Sequence, residues 1–377
     1  MRIFVLIFMF SPLAFLAVAP VAAQQADPDQ LLNQAIEAQQ RGDFQAAIRQ
    51  YRKVLELRPD TLEAKVNLGA ALAHVGQFDA AIAEYKSALA SASQKNPILL
   101  DLGLAYYKKG DFENARQQFE TVHAAQPNDA RVAILLGDTD VHLRKADSAI
   151  ALLEPMENKN ARNLDFEYVL GTAMIQANRR RDGVARIEKV AEAGHSADAY
   201  MLAGSTLLQL NEYEQARHDL DEALRLDPKL PGIYSLAGTA RDKTGNIKDA
   251  ETAFREALKL NPDDFTANLY LGAILFKRRD LVEAKTYLEH ALQLNPASSM
   301  AGYEVGMLKS TSGDYEAAAQ QLEKVAAEDP TWLEPHVELA SLYYRLHRPA
   351  DGEKERKIVE RITDDERKAG VAAPPQD

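Results

Sequence analysis

The chain has 377 residues, a formal net charge of −12 and no cysteine. Without cysteine there is no disulfide, no thiolate metal site, no cysteine nucleophile and no lipid attached at an N-terminal cysteine. The acidic balance argues against a surface that displaces counterions from nucleic-acid phosphates and against broad adsorption to anionic lipid, while 46% hydrophobic and 27% charged residues describe a folded chain.

Residues 2–23 read as a secretory signal. Arg2 supplies a positive start, Ile3 to Val18 is apolar apart from Ser11 and Pro12, and Val21-Ala22-Ala23 places small residues before a cut at Gln24. An uncleaved anchor is the alternative, because about 18 apolar residues can span a bilayer. The expected localisation is export, to a periplasm or to the outside, with no membrane span once the signal is removed. Residues 24–27 form a short lead.

A repeat follows. Gly42-Asp43-Phe44, Gly76-Gln77-Phe78 and Gly110-Asp111-Phe112 recur at a spacing of 34. In that register Ala47, Ala81 and Ala115 share a column, Tyr51, Tyr85 and Phe119 another, and Gly69, Gly103 and Gly137 a third. Repeats are expected to start at Pro28, Leu62, Asn96, Ala130 and Leu164 and, after a one-residue deletion near Gly194, at Ala197, Pro231, Phe265, Ser299 and Leu333. Each unit holds two apolar patterns of helical period joined by a short turn. Gly245 and Gly313 suit a left-handed helix end, the Gly and Ala columns let helices approach, and the aromatic or Leu column is expected to fill space between successive units. Prolines such as Pro59, Pro127 and Pro262 end second helices. A pair of this kind cannot bury its apolar face alone, so the units must stack.

The Leu-Gly…Gly-Asp-Tyr/Phe…Ala…Pro pattern, matched in Gly103–Pro127 and Gly238–Pro262, resembles the tetratricopeptide repeat, or TPR. The resemblance runs from residue 28 to about 365 and implies an all-α, right-handed superhelical solenoid of about ten helix-turn-helix repeats. Three departures stand out. Pro155 falls inside an expected second helix, Gly183 replaces the usual Ala, and the deletion follows, so residues 144–196 are the weakest stretch and a possible hinge. Pro349 and Gly352 make the last repeat degenerate, its charged second helix suits a capping unit, and residues 366–377 read as a disordered tail.

No chemistry-bearing motif is complete. Gly194-His195-Ser196-Ala197-Asp198 lacks the second glycine of a nucleophile elbow and does not follow a strand. Asp138 and His142 share a helix face at i and i+4, which suits a local ion pair better than a metal site, since Asp140 points elsewhere. Arg179-Arg180-Arg181 is a basic island at a turn, read as a solvated turn. No catalytic residue, metal or cofactor is expected.

The resemblance implies a concave groove lined by first helices, with contacts at positions 2, 5, 9, 12 and 13 of each unit. Carried onto this sequence it gives Asn67 and His74, Tyr107 and Lys108, Arg131, Asp138 and His142, and Tyr168. Further along it gives Lys243, Phe276, Lys277, Tyr303, Tyr344 and Arg345. Such a groove suits a peptide or helix, and a clamp for a peptide C-terminus is not matched, because Leu32 and Ile36 stand where it needs Lys and Asn. The function expected is a non-enzymatic protein-binding scaffold in a cell envelope or secretion pathway. Two alternatives remain at this level: a solenoid that binds polysaccharide by stacking aromatic rings on sugars, and a metal-dependent enzyme around Asp138 and His142.

Overall fold

A computed structural model describes residues 27–368. The expected signal segment at 1–23 and the tail from Ala369 onward lie outside the described residues. Every described element is helical, and no described helix is long and apolar enough to cross a membrane.

The chain divides into two compact units, up to Leu143 and from Arg144 onward. In the first, α1 (Pro28–Gln40) and α2 (Phe44–Leu57) form repeat 1, α3 (Leu62–His74) and α4 (Phe78–Leu89) repeat 2, and α5 (Asn96–Lys109) and α6 (Phe112–Ala125) repeat 3. The first helix of repeat 4, α7 (Ala130–His142), completes that unit. The second unit begins with α8 (Ala146–Leu153) and the short α9 (Glu157–Asn160). Repeats 5 to 7 follow as α10 (Leu164–Gln176) with α11 (Arg180–Gly194), α12 (Ala197–Gln209) with α13 (Tyr213–Leu226), and α14 (Ile233–Lys243) with α15 (Ile247–Leu260). Repeats 8 to 10 are α16 (Phe265–Lys277) with α17 (Leu281–Leu294), α18 (Ser299–Thr311) with α19 (Tyr315–Glu328), and α20 (Leu333–Arg345) with α21 (Pro349–Lys368).

The expected starts hold except at repeat 7, where Pro231 and Gly232 belong to the turn and the helix begins at Ile233; Gly232 at φ +78° reverses the chain there. The last helix begins at Pro349 and runs to Lys368, past the expected boundary at residue 365. Pro at the first helical position forfeits no hydrogen bond. Side chains cap many starts: Asp43, Asp264 and Ser298 accept from the backbone N–H groups of Ala46, Ala267 and Ala301, occupying donors a helix start otherwise leaves open.

One backbone rule punctuates all ten repeats. The turn between the two helices places a residue in the left-handed region at Gly42, Gly76, Gly110, Arg144, Asn178, Asn211, Gly245, Arg279, Gly313 and His347. Glycine adopts this conformation freely and Asn178 and Asn211 do so at little cost, whereas Arg144 and Arg279 are held there at a cost of about 1–2 kcal/mol.

The aromatic and Leu column lies inside each unit, not between units as expected. Tyr85 covers Gly69, Phe119 covers Gly103, Phe254 covers Gly238 and Leu288 covers Gly272, each on the first helix of its own repeat. A Cβ on Gly103 would stand 2.5 Å from Phe119 Cε1, and one on Gly69 would stand 2.8 Å from Tyr85 Cε1. The missing side chain is what lets the ring fill the gap. Tyr51, Phe119, Phe166 and Phe254 are among the largest fully buried side chains.

The stretch 144–196 carries the irregularities expected of it. Pro155 ends α8 after eight residues, and a single 3₁₀ turn, Glu154–Met156, leads into α9. Arg186 of α11 ties this broken second helix down, donating 2.8 Å hydrogen bonds to Glu157 of α9 and to the buried Glu167 of α10. Gly183 sits where a Cβ would meet Gly171 O and Ile175 Cγ1 at 2.6 Å, so the helices pack closer here than Ala would allow. The deleted residue is absorbed by His195, whose φ of +47° shortens the link to Ser196, the cap of α12.

Candidate functional site

Side chains at position 13 of a first helix repeatedly lie against the first residue of the preceding repeat's second helix. His74 stacks on Phe44 with ring centres 3.7 Å apart. His142 stacks on Phe112 at 4.5 Å with the rings nearly parallel. The guanidinium of Arg345 lies 5.3 Å from the Tyr315 ring centre, where the ring's negative face attracts it. The sequence offset is the same in each pair, so the contact is a product of the repeat itself.

In the first unit this contact grows into a polar cluster. The Tyr107 hydroxyl donates to Asp138 Oδ2 and lies 2.9 Å from His142 Nε2. Asp138 and His142 are themselves 3.9 Å apart, too far for a direct hydrogen bond, so the local pair expected from their spacing is bridged by a tyrosine from the neighbouring repeat. Burial and the adjacent Asp138 carboxylate push the Tyr107 hydroxyl above the ordinary tyrosine range. Asp140 does point elsewhere: it is buried and bound by Arg116 of α6. Among the described residues no group of three His, Asp and Glu side chains could hold a metal ion.

Other expected groove residues divide into two sets. One set serves the chain's own packing. Tyr168 and Phe276 are half-buried against the cores of their units. Tyr303 packs against Trp332 with ring centres 4.9 Å apart, and burial pushes its hydroxyl up to about 12. Arg131 closes on Asp129 at 2.9 Å, and Arg345 donates to the Tyr315 hydroxyl. The basic island is likewise partly occupied, with Arg179 bound to Glu154 and Asp182 and Arg181 to Glu212. The other set faces solvent. Lys108, Lys243 and Lys277 are exposed, and Tyr344 is 43% exposed with its hydroxyl donating to Glu353. Asn67 is half-buried beside the buried Tyr51.

Lys243 and Lys277 come together over repeats 7 to 9. They line one cleft with Asp242, Tyr270, Ile274, Met300 and Glu304. A second cleft, bordered by Ile247, Lys248 and Arg278, shares Asp242, Ile274 and Lys277 with it. Ile247 and Lys277 occupy the places that Phe112 and His142 hold in the first unit. No ring stacks there, and the hollow stays open. Ile247 and Tyr270 were missed by the sequence reading, since Tyr270 lies outside the five carried-over positions. Met300 occupies one of them, position 2 of repeat 9, and that rule could have found it.

Models of the tetratricopeptide repeat match residues 32–97 and 236–299, 72–138, and 197–230, together more than half of the chain. No curated protein matches the sequence. Among solved structures, MamA 41-end from Desulfovibrio magneticus RS-1 is 24% identical over 45% of this chain and 96% of its own, with a TM-score of 0.40. Yeast Tom70 is 16% identical over 89% of this chain and 91% of its own, at a TM-score of 0.37. The Cut9-Hcn1 hetero-tetramer of APC/C gives 13% identity, 90% and 94% coverage and a TM-score of 0.48. These likenesses concern the fold alone.

Proposed function

This chain belongs to the tetratricopeptide repeat family, and from that premise we propose that it is an exported, non-catalytic scaffold that holds a peptide or helix of a partner protein against its first-helix face. The observation that carries the reading is the open cleft of repeats 7 to 9, where Lys243, Lys277 and Met300 from successive first helices meet the exposed start of α15 at Ile247 and Lys248. Recognition of that kind combines an apolar anchor with a few charged contacts. Export rests on the signal-like residues 2–23. The non-catalytic reading rests on the tetratricopeptide repeat, an architecture built for binding.

A photo-crosslinking residue placed at Lys277, at Tyr344 or at Val282 tests the reading in cells. The first two lie on first helices, whereas Val282 is 88% exposed on α17, a second helix. Adducts with a defined protein from positions 277 and 344, and none from 282, are the expected result. Adducts from 282 alone would place binding on the second-helix face and overturn the proposal, as would adducts with carbohydrate in place of protein.

A further inference from the structure

The adjoining clefts of repeats 7 to 9 measure about 210 and 430 Å³. Few large apolar side chains of the described residues are exposed, yet two of them, Ile247 at 44% and Met300 at 50%, border these clefts. Apolar surface left open to water in one place marks a site to be covered. Around it stand Lys243, Lys248 and Lys277, none of which forms a salt bridge among the described residues, although Lys243 lies 5.9 Å from the Tyr270 ring centre. The acids nearby offset them only in part. Glu251 is held by Arg255 and Arg278 at 3.0 and 2.7 Å. Burial favours the protonated form of Glu304, against the pull of Lys277. Asp242 and Glu304 are the cleft carboxylates that form no salt bridge among the described residues. A locally cationic, apolar-floored cleft thus sits in a chain of net charge −12.

We propose that this cleft takes an acidic segment of a partner protein carrying a bulky apolar side chain, seated between Ile247 and Met300 with its carboxylates on Lys243, Lys248 and Lys277. The inference rests on the first-helix reading above and adds the chemistry of the partner. The lysines alone would attract any polyanion. The apolar pair favours a peptide, whose Leu or Phe side chain covers Ile247 and Met300 where the hydroxyl-rich rings of an acidic polysaccharide would not, and the net charge of −12 disfavours a nucleic acid.

Fluorescence anisotropy with the full chain tests it, using short labelled peptides of Glu and Asp around a central Leu-Phe. Comparison peptides replace the acids by Gln, replace them by Lys, or replace Leu-Phe by Ser-Ser. The acidic apolar peptide should bind best and weaken with added salt. Lys243→Glu with Lys277→Glu should weaken it about tenfold or more and should gain affinity for the Lys peptide, a reversal that a misfolded variant would not give. Equal binding of the Gln peptide, an unchanged affinity in the double variant, or stronger binding of an oligouronate than of any peptide would overturn the proposal. If crosslinks form at positions 277 and 344 while no charge preference is found, the first-helix reading stands and this inference alone fails.

Discussion

At the scale of single residues, Asp219 is the most consequential oddity. It is 4% exposed, and its Oδ2 has no hydrogen-bond partner. Burial, with Glu188 and Glu192 nearby, pushes its carboxyl up to about 7. The folded chain therefore binds a proton more tightly than the unfolded chain, whose carboxyl has the ordinary value of 3.8. Stability at this site is greatest below the unfolded value and falls as pH rises from about 4 to 7. Asp219→Asn should raise stability at pH 8 by on the order of 2–4 kcal/mol and change little at pH 4; urea titrations at the two pH values measure this. The glycines give a second expectation. Gly103→Ala should destabilise by about 1–3 kcal/mol through the clash with Phe119. Arg279→Gly should stabilise by about 1 kcal/mol, because the native φ of +71° then carries no side-chain strain. A stability loss in the second variant would mean that the Arg279 side chain makes a contact worth more than the backbone strain.

At the scale of elements, the break in repeat 4 is held by charge in place of helix. Pro155 removes the continuation of α8, and Arg186 binds Glu157 and Glu167 across the gap. Removing the arginine leaves Glu167, with its side chain 4% exposed, as a buried unpaired charge. Arg186→Met should therefore cost about 3–5 kcal/mol, and adding Glu167→Gln should restore much of it. Additive losses in the double variant would show that the arginine acts through packing and not through its charge. The position-13 contact works at the same scale. Where the pair is two rings or a guanidinium on a ring, as at Phe112 with His142 or Tyr315 with Arg345, the space between neighbouring repeats is filled. Where it is Ile247 with Lys277, a cleft remains.

At the scale of the whole molecule, stability is distributed along the array. Within each compact unit a repeat packs mainly on its sequence neighbours, so a local defect should stay local. In Gly103→Ala, hydrogen exchange should accelerate in repeats 2 to 4 and remain unchanged in repeats 7 to 9. Uniform acceleration along the chain would instead mean that the array unfolds as one cooperative body.

The repeat register, nine of the ten helix starts, the break at Pro155 and the family were legible in the sequence, because helical period, turn glycines and terminal prolines act over a few residues and leave a local signature. The pairing of Tyr107 with Asp138 and His142, the fate of Tyr303 against Trp332 and the gathering of Ile247, Lys277 and Met300 were not, because they depend on how one repeat is set against the next. A carried-over position names a helix face. Whether a side chain on that face is free for a partner or already used by the chain was decided by tertiary packing: Phe276 packed half-buried against the core and Arg345 settled on Tyr315, while Lys243 and Lys277 remained exposed over an apolar floor.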